Sequence, residues 1–282
     1  MKNIFIHVGF TKTGTCSIQS SCFRNRELLE EHNILYPNVG IYKNAHHLIP
    51  ISVDRKLHKF APEVCLDSYG NYINELLEAS VRSKAENILI SSEWFFKMPG
   101  EQIKILSSLK QHFKVTILVF FRRQDKWLES AFNQFNKSSS SNILPSFEYF
   151  VKINYNRLDY FNFLKLWEYY FGKNNVIPLL YQEEIFSKKT ILKQLLDNID
   201  ESLDVEKIKN FHCLKQQLNV SSSQYVLMLL NKVKRNYMHR RDLSSLESLL
   251  RRYSDPQVCQ KKYSQFTVEK RQELMEAFTE SI

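Results

Sequence analysis

With 43% hydrophobic and 13% aromatic residues, this 282-residue chain has ample material for a core. Its formal charge of +9 suits anionic small molecules and glycans, and by itself also permits nucleic acid or a membrane surface. No run of about 18 apolar residues occurs, so no membrane-spanning helix is expected. Cys16, Cys22, Cys65, Cys213 and Cys259 form no C-x-x-C pair, which speaks against a zinc module or a disulfide framework and for a reducing, cytoplasmic setting. No RNA-binding aromatic motif or basic amphipathic helix supports nucleic acid or membrane as partner.

Residues 4–18, IFIHVGFTKTGTCSI, read as a strand, a tight loop and the start of a helix. Ile4, Phe5, Ile6 and Val8 suit a buried parallel strand, and it begins so early that no signal peptide is expected. Gly9 and Gly14 punctuate the turn. Thr13 or Thr15 is expected to cap a helix carrying Ile18, Phe23, Leu28 and Leu29 on one side. Amides at a helix start have no partners within the helix, and the helix dipole adds positive potential there. A lysine inside such a loop makes a cradle for phosphate or sulfate. The spacing of Gly9 and Gly14 matches a nucleotide P-loop, but Thr15 and Cys16 stand where Lys and Ser/Thr belong. The lysine is Lys12, before the second glycine, and the Mg²⁺-binding hydroxyl of an ATPase has no obvious counterpart, which weighs against nucleoside triphosphate hydrolysis.

Residues 33–37 read as a short strand end or turn. Residues 39–50 read as a loop holding His46 and His47, which cannot face the same way on regular structure. A helix follows at 68–83, with Tyr72, Ile73, Leu76, Leu77 and Val81 at helical spacing. Residues 87–93, NILISSE, form a second strand with Glu93 at its carboxyl end. Ligands of open parallel sheets bind there, and a carboxylate can act as general base. Residues 101–113 read as an amphipathic helix and 114–121, KVTILVFF, as a third buried strand ending in Arg122-Arg123. The helix at 124–137 turns Trp127, Leu128, Phe132 and Phe135 inward. An arginine fork at the strand end can hold a phosphate, and Ser130, eight residues on, can meet the same phosphate from the next helix.

Residues 138–141 are a serine run between helices. An aromatic helix at 158–172 ends at Gly172, and a strand at 175–181 carries Pro178, which favours a sheet edge. A helix follows at 188–197. From residue 199 the pattern shifts to polar connections and helices at 222–235, 244–253 and 267–282, a helical annex.

The order K-T-G-T at Lys12–Thr15 resembles the donor loop of sulfotransferases that use 3'-phosphoadenosine 5'-phosphosulfate (PAPS). The stretch FFRRQDKWLESAFNQ, with Arg122 and Ser130, resembles their 3'-phosphate region, and the L-D-Y…W…F-G…strand-Y pattern is similar to that of bacterial carbohydrate sulfotransferases. The likeness extends over residues 4–181 and departs at Cys16, where a second Thr or Ser is usual. It implies a three-layer P-loop-like α/β fold with a parallel sheet flanked by helices, in one domain (α/β core 1–198, helical annex 199–282). It implies transfer of a sulfuryl group from PAPS to a hydroxyl or amine of a glycan, glycolipid or small alcohol, leaving adenosine 3',5'-bisphosphate (PAP), with no metal. Thr11, Lys12, Thr13, Gly14, Thr15, Cys16 and Ser17 would hold the 5'-phosphosulfate, and Arg122 and Ser130 the 3'-phosphate. Lys12 would offset charge on the leaving oxygen. The base would be Glu93 first, then His47 or His46. Lys261-Lys262 or the basic cluster at 232–241 would close the nucleotide pocket. A P-loop kinase and a non-catalytic nucleotide- or anion-binding protein are the alternatives.

Overall fold

The computed structural model describes residues 1–138, 146–182, 190–205, 207–212, 249, 264 and 266–279. Most of the serine run, the helices read at 222–235 and 244–253, the basic cluster at 232–241 and Lys261-Lys262 lie outside the described residues. The chain divides into two units: Met1–Arg122 with Asn162–Leu218, and Arg123–Phe161 with Asn219–Ile282. This division differs from a break at residue 198, because the segment after Arg122 groups with the C-terminal residues.

The first unit is built on a parallel sheet. Its strands are β1 (Asn3–Val8), β2 (Ile34–Leu35), β3 (Asn87–Ser92), β4 (Lys114–Arg122) and β5 (Val176–Tyr181), in the order β2-β3-β1-β4-β5. All four neighbouring pairs are parallel, with Ile6 opposite Ile90 and Ile117. The three central strands are nearly all apolar because both of their faces are covered. Alternation sends Phe5, Leu89, Leu118 and Phe120 to one face, where they pack with Ile18 and Cys22 of α1 (Thr15–Arg24) and with Leu192, Leu195 and Leu196 of α9 (Ile191–Leu196). On the other face Phe121 meets Phe163 of α8 (Tyr160–Phe171), 5.8 Å between ring centroids. Helices on both faces make the three layers that the sequence leads one to expect. Pro178 lies on the edge strand β5, where its missing N–H leaves no ladder bond unmade.

The first helix is shorter than its apolar spacing suggests. It stops at Arg24, and α2 (Arg26–Glu31) restarts after Asn25. The buried Asn25 amide donates to the Ser21 and His212 carbonyls, 2.7 and 3.0 Å, and its oxygen accepts from the His212 amide at 2.9 Å. These distant bonds break the helix in a way that local pattern does not reveal. Short helices follow at α3 (Leu48–Val53) and α4 (Tyr69–Arg82), the latter capped by the Ser68 hydroxyl on the Asn71 amide. Val81 is 82% exposed, so it does not join the inner face of α4. The helix expected at 101–113 is α5 (Gly100–Leu106) followed by a 3-10 turn.

In the second unit, α6 (Gln124–Ser138), α7 (Phe147–Asn154) and α10 (Val268–Thr279) pack together. Phe132 meets Phe147 and Phe150 at 5.1 and 5.3 Å, and Phe147 meets Phe266 at 4.8 Å. The fully buried Asp125 carboxylate accepts from both Arg123 and Arg271, and Arg271 also reaches Glu129. Among the described residues, no helix is long and apolar enough to cross a membrane.

Candidate active site

The chain leaves β1 toward β2 on one side, and leaves β4 toward β5 on the other. Between these two carboxyl ends the strand order changes direction, which is where open parallel sheets bind ligands. The loop after β1 begins with Gly9, whose amide bonds the Ser92 carbonyl at 3.1 Å. A Cβ on Gly9 would lie 2.5 Å from Thr15 Cγ2 and 3.0 Å from Glu93 Cα, so only glycine lets the loop, the helix start and Glu93 meet this closely. Lys12 and Gly14 are both left-handed, with φ 68 and 73°. The loop therefore turns at the lysine as well as at the glycine.

Gly14 is the N-cap of α1, and no side chain caps that helix. The expected threonine cap is absent because both hydroxyls turn inward. Thr13 donates to the Phe10 carbonyl, and Thr15 donates to the same carbonyl at 3.2 Å. Both threonines are buried, so their side chains brace the loop. At the start of α1 the Ser17 amide bonds the Gly14 carbonyl at 2.9 Å, and the amides before it, at positions where a helix supplies no acceptor, are the groups that can face an anion, together with Lys12. Cys16 is exposed at the same turn. Neighbouring atoms partly desolvate its sulfur and push the thiol pKa up, and Glu93 adds to this while Lys12 opposes it. One helix turn therefore feels both the lysine and the carboxylate. Ser17 is buried beneath it.

Arg122 ends β4 opposite Tyr181 of β5. Its guanidinium lies 5.1 Å over the Tyr181 ring and donates Nη1–H to the Lys12 carbonyl at 3.3 Å. The arginine singled out for phosphate thus touches the donor-type loop through its backbone. Ser130 lies half-buried on α6, in the second unit.

The two leading candidates for a single base are neighbours. Glu93 follows β3 directly, and its carboxylate Oε2 lies 3.8 Å from His47 Nε2. The same Oε2 accepts from Gln19 Nε2 at 3.2 Å. Gln19 is a buried residue of α1 that the sequence reading did not pick out. A polar residue on the buried side of the helix leaving the loop was the available signal. His47 Nδ1 meets Ser92 Oγ at 2.7 Å, and that oxygen also accepts from the Trp94 amide at 3.1 Å. When the Ser92 hydroxyl donates to Nδ1, the imidazole proton sits on Nε2, facing Glu93. Burial lowers the His47 pKa to about 4, against the pull of Glu93 and with help from Lys43 and Lys97. His47 is therefore neutral near pH 7.

His46 has a different task. Its Nε2 bonds the Pro37 carbonyl at 3.0 Å, and its Nδ1 accepts from the Ser91 amide at 3.1 Å. It is fully buried, with a pKa lowered to about 3 mainly by desolvation. Both ring nitrogens are committed to backbone groups, which removes His46 from the candidates for the base. Adjacent histidines on a non-helical turn face opposite ways, as expected.

No family model matches this chain. Over 146 residues, 52% of this chain, it is 24% identical to an uncharacterized protein of Archaeoglobus fulgidus, and the match spans 38% of that protein's length. Among solved structures it is similar to a sulfotransferase from Alicyclobacillus acidocaldarius, with 15% identity, TM-score 0.47, and coverage of 93% of this chain and 99% of that one. It is also similar to retinol dehydratase in complex with androsterone and inactive cofactor PAP, with 14% identity, TM-score 0.38, and coverage of 99% and 80%.

Proposed function

We propose that this chain is a sulfotransferase that moves a sulfuryl group from PAPS to an alcohol oxygen of a glycan or glycolipid, in a cytoplasmic setting. One observation carries the reading. The loop with Lys12 and the uncapped start of α1, an anion cradle, packs against the backbone of Glu93, the residue at the next strand end that can take a proton.

In this reading the first-turn amides of α1 and Lys12 hold the 5'-phosphosulfate. The bond from sulfur to the bridging oxygen breaks, its electron pair stays on the 5'-phosphate, and Lys12 offsets the charge. A new bond forms between sulfur and the acceptor oxygen, whose proton goes to Glu93. Gln19 and His47 both meet the Glu93 carboxylate at Oε2, and among the described residues Oε1 is the oxygen placed to receive that proton. His47 supports the carboxylate from its Nε2 side, and Gln19 holds its direction. A lysine contact of this kind is worth about 10²–10³ in rate, and a general base about 10²–10⁴. Arg122 takes the ribose 3'-phosphate. The assignment of Ser130 to the same phosphate rests on its spacing from Arg122 in the sequence.

A thermal-shift titration with PAP, ADP and ATP, with and without Mg²⁺, tests the class. A ligand at about 100 times its dissociation constant stabilises the fold by about 2.7 kcal/mol. A metal-independent shift with PAP alone is expected. A shift only with ATP and Mg²⁺ moves the chain to the kinases. Arg122→Ala is expected to weaken PAP far more than adenosine 5'-phosphosulfate. If the guanidinium only braced the Lys12 carbonyl, both nucleotides would weaken equally.

A further inference from the structure

Past Glu93, the wall beside the proposed base is made of aromatic rings carrying ammonium groups. Trp94 stacks on His47, with ring centroids 4.1 Å apart and planes at 20°. Tyr42 lies 6.2 Å from Trp94, and Phe60 lies 5.6 Å from it. The two outer rings hold cations. Lys43 Nζ sits 4.7 Å from the Tyr42 centroid. Lys97 and Lys59 Nζ sit 4.0 and 5.3 Å from the Phe60 centroid. Among the described residues, Glu63 accepts from the Tyr42 hydroxyl and partly offsets Lys43.

These residues come from three separate stretches, 42–43, 59–60 and 94–97, which the fold gathers beyond the carboxyl end of β3. A basic chain normally spreads its lysines over solvated surface. Here three ammoniums are held on ring faces beside a single catalytic candidate. Lys43 and Lys97 are near enough to act on the charge of His47. Because cations cover the ring faces, this wall offers positive charge to an acceptor rather than bare apolar surface. That disfavours a neutral lipid. Ammoniums on two separate rings beside Trp94 suit an acceptor with more than one acidic group.

The geometry points to an anionic glycan as acceptor: a sugar chain whose carboxylates or sulfates lie against Lys43, Lys59 and Lys97 while one of its hydroxyls reaches Glu93. This rests on the sulfuryl-transfer reading. The polarity of the wall also bears on the alternatives within that reading, since a small neutral alcohol has no use for it. The screening length of about 8 Å at physiological salt makes such binding salt-sensitive.

The test uses the full chain with PAP bound. Unsulfated chondroitin and alginate oligosaccharides are the probes, each beside its carboxyl-reduced, neutral counterpart, titrated at low and moderate salt. The acidic probes are expected to bind at least tenfold more tightly than their counterparts and to weaken as salt rises. The exposed double substitution Lys43→Gln/Lys97→Gln is expected to weaken the acidic probes at least tenfold while leaving the PAP-induced thermal shift unchanged. Equal binding of acidic and neutral probes, indifference of the double variant, or no binding of either acidic probe to the PAP complex overturns the inference. If PAP itself gives no shift, it is the sulfuryl-transfer reading that falls. The acidic and neutral probes, titrated without nucleotide, then decide the character of the wall separately.

Discussion

Replacing Gly9 by alanine separates a cradle that merely lies near Glu93 from one built against it. The added Cβ would sit 2.5 Å from Thr15 Cγ2, 3.0 Å from Glu93 Cα and 3.1 Å from the Glu93 amide nitrogen. Carbon atoms in good contact are about 3.5–4.0 Å apart, so the first approach is short by about 1 Å. Thr15 cannot easily yield, because it is buried and its hydroxyl is held on the Phe10 carbonyl. The Glu93 atoms are backbone and yield only if β3 and the loop part. Gly9 is not in the left-handed region, so alanine carries no conformational penalty there and the whole effect is displacement. Overpacking of this kind costs about 1–3 kcal/mol. At about 2–4 °C per kcal/mol for a large domain, the melting temperature falls by several degrees. Misplacing a reacting group by about 1 Å is worth about 10²-fold in rate. The assay is PAPS-dependent transfer together with the melting temperature and the PAP shift. Gly14→Ala is the control. Its φ of 73° imposes a backbone penalty of about 1–2 kcal/mol. Its Cβ meets chiefly the flexible end of Ile191, so it should harm nucleotide binding more than turnover of bound substrate. A Gly9→Ala protein with unchanged melting temperature and unchanged kcat would show that the packing of Glu93 on the cradle has no bearing on function.

Glu93→Gln should lower kcat by about 10²–10⁴ while PAP binds as before, and an unchanged kcat would assign the proton to another group. Gln19→Leu removes the recorded donor to Oε2 and should lower kcat with PAP affinity preserved; loss of both together would mark Gln19 as a packing residue only. His7 and His46 both have folded pKa values lowered to about 3 by burial, so the unfolded chain binds their protons first as pH falls below about 6.5. Their stabilisation is complete above that pH and should decline by about 1.4 kcal/mol per pH unit for each histidine on the way down to about 3, which urea unfolding at pH 7, 6 and 5 can measure. A flat profile over that range would contradict their neutral burial. Asp125→Ala removes the buried carboxylate that accepts from Arg123 and Arg271; because Arg123 is half exposed and Arg271 keeps Glu129, it should cost about 1–3 kcal/mol, read by the same unfolding experiment.

The loop was legible because its chemistry is local: a strand, two glycines, a lysine and a helix start within one short stretch. The role of each hydroxyl within it was not. Thr13 and Thr15 read as cap or ligand donors, yet both turn to the Phe10 carbonyl, because the left-handed Lys12 brings that carbonyl under them. Likewise the break at Asn25 depends on His212, far along the chain, and no window of sequence around the helix contains it.

The sequence by itself determined the buried strands, their carboxyl-end residues Glu93 and Arg122, and the position of the cradle, since these follow from hydrophobic runs and from what a strand end presents. Only the tertiary structure decided which histidine lies beside Glu93. His46 and His47 are equivalent as letters, but the loop places the first under the sheet, with both nitrogens on backbone groups, and the second against Ser92, Glu93 and Trp94. That choice depends on how the loop meets β3: His46 takes the Ser91 amide and His47 the Ser92 hydroxyl, and neither contact exists until the loop, far from β3 in sequence, is folded against that strand.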